Sequence, residues 1–109
     1  MTMKDQVHMI DSETLFDWIE KDKAVIVDVR EQNEYDMAHI DGATLVPLSS
    51  FNAELLPEIP SDKNLVLHCR SANRCGVAAL HLLQQGYPGQ IYRLTGGILA
   101  WQAGGFPVV

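Results

Sequence analysis

The chain reads as an α/β domain with a central, mostly parallel sheet and helices on both faces. Three observations predict this. Short β-branched runs such as "AVIVDV" (24–29) and "NLVLHC" (64–69) show no polar alternation, the pattern of strands buried on both sides. Helix-like segments separate these runs at short intervals, as crossover helices between parallel strands would. With 109 residues there is material for one core, so 1–109 is read as a single domain.

In chain order, "VHMI" is a short apolar lead-in. In "DSETLFDWIEKDK", Asp11 or Ser12 is placed to cap a helix whose apolar face is Leu15, Phe16, Trp18 and Ile19. The run 24–29 is a strand. "REQNEYDMAHIDGA" is polar, with a helical turn ending at a glycine turn near Gly42. "TLVPL" (44–48) is a second strand, with Pro47 near its end. "SSFNAELLPEIP" opens on a capping pattern, Ser50 with Glu54 nearby, and stops at Pro57 and Pro60. The run 64–69 is a third strand. "CGVAALHLLQQ" carries Val77, Ala79, Leu80 and Leu83 at helical spacing, and Gly86 suits the position just past a helix end. "QIYRLT" (90–95) is a further strand, and "GGILAWQAGGF" a short helix between glycine pairs.

Composition excludes several classes of function. The formal net charge is −6, from 14 acidic and 8 basic side chains, which argues against a nucleic-acid partner. No apolar stretch approaches the ~20 residues a membrane helix needs. The start, MTMKDQVHMIDSET, lacks the apolar core of a signal peptide, so a cytoplasmic location with reduced thiols is expected. The two cysteines are not spaced as CxxC, and no His/Cys cluster suggests a metal.

The stretch that invites chemistry is "HCRSANRCG". In parallel sheets of this class ligands bind beyond the carboxyl ends of strands, and Cys69 stands at such an end. A helix is expected to start at about Arg74 or Cys75. The backbone N–H groups of the tight arc between should converge into an anion-binding nest, and the helix N-terminus adds to it. Arg70 and Arg74 add two planar cations. A free thiol has a pKa of ~8.5; lowering it by two units takes only ~2.7 kcal/mol of preferential thiolate stabilisation. Cys69 is therefore read as a nucleophile working as thiolate, in a cradle that would also hold the anion it attacks.

These segments together resemble the rhodanese family of sulfurtransferases. "VIVDVREQNEYDMAHIDGATLVPL" (25–48) is similar to the family's N-terminal signature, "LVLHCRSANRCGVAALHLLQQGY" (65–87) to its active-site loop and following helix, and "LTGGILAWQAGGFPV" (94–108) to its closing segment. The resemblance implies a rhodanese-like three-layer domain with a five-stranded sheet. It implies that Cys69 takes the outer sulfur of a donor such as thiosulfate, becomes a persulfide, and passes the sulfur to cyanide, a thiol or an acceptor protein. The substrate would be bound by the loop Arg70, Ser71, Ala72, Asn73, Arg74 and Cys75, and no metal or organic cofactor is implied. Related phosphatases and arsenate reductases resemble a longer loop, with five residues between Cys and Arg. Here there are four, which favours sulfur over phosphate.

Two residues depart from the family's loop, which commonly reads Cys-Arg-Ser-Gly-x-Arg followed by Ser or Thr. Ala72 replaces the glycine, at a cost of ~1 kcal/mol or more if φ is positive there. Cys75 replaces the hydroxyl residue, either as a small residue of the first helical turn or as a resolving thiol that attacks a Cys69 persulfide. Asp28, Arg30, Glu34, Asp36 and His39 are read as supports through hydrogen bonds and ion pairs, with Arg30 adding positive potential near the loop. His68 is read as a buried support, His81 as a surface residue and Trp101 as core, with Gly96-Gly97 forming a wall of the pocket. The rivals to a sulfur-transferring enzyme are a persulfide carrier, a non-catalytic module acting with a partner protein and, less favoured, a phosphatase or arsenate reductase.

Overall fold

A computed structural model describes residues 6–109; residues 1–5, and with them the outermost part of the single-domain and leader expectations, lie outside the described residues. Five parallel strands form one sheet: β1 (Val7–Ile10), β2 (Ala24–Asp28), β3 (Thr44–Leu45), β4 (Asn64–His68) and β5 (Ile91–Leu94), in the spatial order β1-β5-β4-β2-β3. Among the described residues four α-helices accompany them: α1 (Ser12–Glu20), α2 (Gln32–Met37), α3 (Asn73–Gln84) and α4 (Gly97–Ala103). The "VHMI" lead-in is thus an edge strand, paired with β5 from Val7↔Ile91 to Ile10↔Leu94.

Side-chain alternation along the central strands splits the core in two. Val27 of β2 and Leu65 and Leu67 of β4 pack with Ala78, Ala79 and Leu82 of α3. Ile26 and Val66 point the other way and pack with Leu15 of α1 and Ile98 and Trp101 of α4. A strand that buries both faces has no polar position to alternate, hence the unbroken apolar runs. Helices on the two sides complete the three layers. Among the described residues no helix is long and apolar enough to cross a membrane.

Local signals place several ends. Asp11, not Ser12, caps α1: its carboxylate accepts from the Thr14 N–H at 2.8 Å. Helix α3 closes on Gly86 at φ 82°; the Gly86 N–H donates to the Leu83 carbonyl and the Tyr87 N–H to that of Leu82.

Three expectations are corrected. The buried stripe of α3 is Cys75, Ala78, Ala79 and Leu82, whereas Val77 and Leu80 are 47% and 50% exposed. The helix lies close on the sheet, and small residues permit that approach, so size of apolar side chain misidentifies the face. Ser50 caps no helix. "LSSFNAELL" (48–56) forms two single 3₁₀ turns, Leu48–Ser50 and Ala53–Leu55, the second capped by Asn52, which accepts from the Glu54 N–H at 2.9 Å. Extended residues at Phe51 and Leu56 let both side chains reach the α3-side core. Finally, the β3 ladder covers only Thr44–Leu45. Beyond it the Val46 and Leu48 N–H groups still donate to the Asp28 and Val29 carbonyls at 2.9 and 3.0 Å, so the chain follows β2 past the ladder's end.

The corrected face of α3 predicts opposite outcomes for neighbouring leucines. Leu82→Ala removes a fully buried side chain and should cost about 2–5 kcal/mol in chemical denaturation. Leu80→Ser should change stability by no more than about 0.5 kcal/mol.

Candidate active site

Strand β4 ends at His68 and α3 begins at Asn73, one or two residues earlier than expected, so Cys69 to Ala72 make the whole turn between them. The Cys69 sulfur lies inside this arc. The Ala72 N–H donates to it at 3.1 Å and the Cys75 N–H at 3.4 Å. Cys69 itself is 1% exposed. A partner must therefore be slender enough to enter the loop, or the loop must open.

These donors make the thiol acidic. Cys69 is brought down from 9.0 to about 5, first by hydrogen bonding from the Cys75 thiol, then by the N–H groups of Cys75, Ala72 and Ser71, with burial opposing them. Such a drop corresponds to on the order of 5 kcal/mol in favour of thiolate, more than a helix terminus alone supplies. A thiol lowered this far is mostly thiolate at neutral pH.

Cys75 is fully buried, and its pKa is pushed well up, first by its hydrogen bond to Cys69, then by burial. Its S–H donates to the Ala72 carbonyl at 3.1 Å. A thiol held protonated in this way is a donor and a poor nucleophile.

The two arginines differ in their surroundings. Arg70 is exposed, and its side chain makes no hydrogen bond or ion pair among the described residues. Arg74 is committed to Glu34: its two terminal nitrogens donate to the two carboxylate oxygens at 2.7 and 2.8 Å. That fork holds Glu34 down at about 2 and raises Arg74. The sulfur is thus held by neutral N–H and S–H groups, with the loop's inner cation already paired. Ser71 on the arc and Asn73 at the start of α3 are exposed.

The supporting residues sit around this loop. Arg30, 5% exposed, grips the Asp28 carboxylate with Nε and Nη2, and Nη2 also donates to the Ala38 carbonyl at 2.7 Å. Its charge is therefore balanced within the support. His68 is fully buried with Nδ1 3.4 Å from the Cys69 carbonyl and Nε2 3.5 Å from the Asp28 carboxylate; burial lowers its pKa against the upward pull of Asp28. His39 stacks on Tyr35, and Asp36 accepts from Gln32, both away from the sulfur's donors. His81 is exposed. Trp101 is 1% exposed and donates to the Pro107 carbonyl.

Gly97 does more than line a wall. It has φ 60°, and a Cβ on it would lie 2.5 Å from the Cys69 and Arg70 carbonyl oxygens. The next two N–H groups, of Ile98 and Leu99, donate to those same carbonyls at 2.9 and 3.1 Å. The glycine turn is therefore bolted to the back of the loop. Nothing in "QIYRLT" marks Arg93 as a loop residue, yet its Nη2 donates to the Ala72 carbonyl at 2.8 Å and its Nε lies 3.5 Å from the Cys75 sulfur. The signal available in sequence is a cation near the carboxyl end of an otherwise apolar strand.

The model of the Rhodanese-like domain family matches residues 11–104. A protein of Allochromatium vinosum named a sulfurtransferase is 36% identical over 104 residues, covering 94% of this chain and 95% of its own. An uncharacterised protein of Synechocystis is 42% identical over 90 residues, 83% of this chain; the match spans about half, 49%, of that relative. The crystal structure of a rhodanese-related protein from Thermoplasma volcanium superposes with a TM-score of 0.78 at 29% identity, covering 94% of this chain and 97% of that one.

Two substitutions check the geometry. Cys75→Ala removes the S–H donor and should raise the Cys69 midpoint by about one pH unit, read from ultraviolet thiolate absorbance, while Cys75→Ser keeps a donor and should shift it less. Gly97→Ala forces the loop backbone aside and should cost more than about 1 kcal/mol of stability in chemical denaturation while raising the same midpoint.

Proposed function

This chain belongs to the rhodanese-like domain family, and on that premise we propose that it is a sulfurtransferase working through a Cys69 persulfide. The observation that carries the reading is the Cys69 sulfur held as an anion by the Ala72 and Cys75 N–H groups. The thiolate attacks the outer sulfur of a donor such as thiosulfate. A new S–S bond forms at Cys69, the donor's S–S bond breaks, and sulfite leaves with the electron pair. The outer sulfur of the persulfide then carries negative charge that the same donors can hold. An acceptor, cyanide or a thiolate, attacks that outer sulfur, and Cys69 leaves as thiolate. No proton has to be moved by a general base, because the nucleophile is already ionised at neutral pH.

Arg70, exposed beside the loop, suits the anionic end of such a donor. Phosphoryl transfer is less well served. The loop has four residues between Cys69 and Arg74, and both terminal nitrogens of Arg74 are occupied by Glu34. Transfer to a protein thiol uses the same persulfide and differs only in the acceptor.

The test is intact mass after incubation with thiosulfate under non-reducing conditions. A gain of one sulfur is expected, lost with cyanide and absent in Cys69→Ala. No adduct from thiosulfate or any other sulfur donor would sink the reading.

A further inference from the structure

Ala72 has φ 99° and ψ −12°, in the left-handed region where an L side chain is strained. The peptides on either side of it are both tied. On one side its N–H points at the Cys69 sulfur, 3.1 Å away. On the other, its carbonyl accepts from Arg93 Nη2 at 2.8 Å, the Cys75 thiol at 3.1 Å and the Gly76 N–H at 3.4 Å. Fixing the direction of both peptides fixes the dihedrals between them. Of the three ties on the carbonyl, the amide is long and a thiol is a weak donor, which leaves the guanidinium as the strong one.

Arg93 is built for this place. It rises from β5, 21 residues further along the chain than Ala72, and passes beneath the first turn of α3. Room for it exists because residue 76 is glycine: a Cβ there would lie 2.8 Å from Nη2. Among the described residues Arg93 makes no ion pair, and its side chain donates only to the Ala72 carbonyl and the Cys75 sulfur.

We propose that Arg93 is a positioning residue that holds Ala72 in the left-handed conformation aiming its N–H at Cys69, supplying by a hydrogen bond what a glycine would supply by conformational freedom. The inference rests on Cys69 acting as a thiolate. Its test reads ionisation rather than sulfur transfer, so it stands or falls separately from the sulfur donor.

The experiment is a double-mutant cycle on the Cys69 midpoint, from ultraviolet thiolate absorbance corrected with Cys69→Ala. Arg93→Met should raise the midpoint by about one unit, lowering the thiolate fraction at pH 5 about fivefold. In an Ala72→Gly background the same change should move it by less than about a third of a unit, because glycine needs no holding. An equal shift in both backgrounds would assign Arg93 a plain charge effect and overturn the proposal, as would no shift in either. Gly76→Ala, which pushes the guanidinium aside by contact, should reproduce the upward shift, and an unmoved midpoint there counts equally against it. Where Arg93→Met does not fold, Gly76→Ala with and without Ala72→Gly gives the same cycle.

Discussion

The site depends on one constraint: the backbone must turn from β4 into α3 over four residues while aiming N–H groups at a buried sulfur. Ala72 is where that constraint is tightest. Its amide serves Cys69 and its carbonyl starts the helix, so its two peptides face different masters. The left-handed conformation follows, although the residue is alanine. Around this point the fold supplies restraint from three directions: α3 through Gly76 and Cys75, β5 through Arg93, and the α4 turn through Gly97.

The charged side chains nearest the loop are arranged in pairs. Glu34 takes Arg74 and Asp28 takes Arg30, each through a forked contact. What remains to hold Cys69 are dipoles: two close N–H groups and a thiol. Dipoles fixed by secondary structure do not need to reorganise when a sulfur is added or removed, which suits a group that is an anion before and after transfer. They are also little affected by salt, unlike exposed charge pairs.

Cys75 illustrates how burial decides chemistry. In isolation a second cysteine six residues from the first invites a redox pair. Fully enclosed, with its hydrogen on the Ala72 carbonyl and its pKa pushed up, it is kept neutral and becomes part of the support. The same logic makes buried Asp28, Arg30 and His68 a support behind the loop, with the Asp28 carboxylate facing both basic side chains.

Much of this was legible in the residues themselves. Unbroken apolar runs state that β2 and β4 are buried on both faces, because no other arrangement hides both sides of a strand. Glycine placement and a cysteine at a strand end locate the loop, and four residues between Cys69 and Arg74 set its size. The sequence also contains Glu34, Gly97 and Arg93, but only as residue types. That Glu34 holds Arg74 across 40 positions, that Gly97 fits against the Arg70 carbonyl, and that Arg93 lies under Ala72 were decided by the tertiary structure. So was the face of α3 that is buried, since closeness to the sheet favoured alanine over the larger Val77 and Leu80. Local pattern determines which backbone each segment can form; which donor meets which acceptor depends on distances that exist only once the parallel strands have brought their carboxyl ends to one edge.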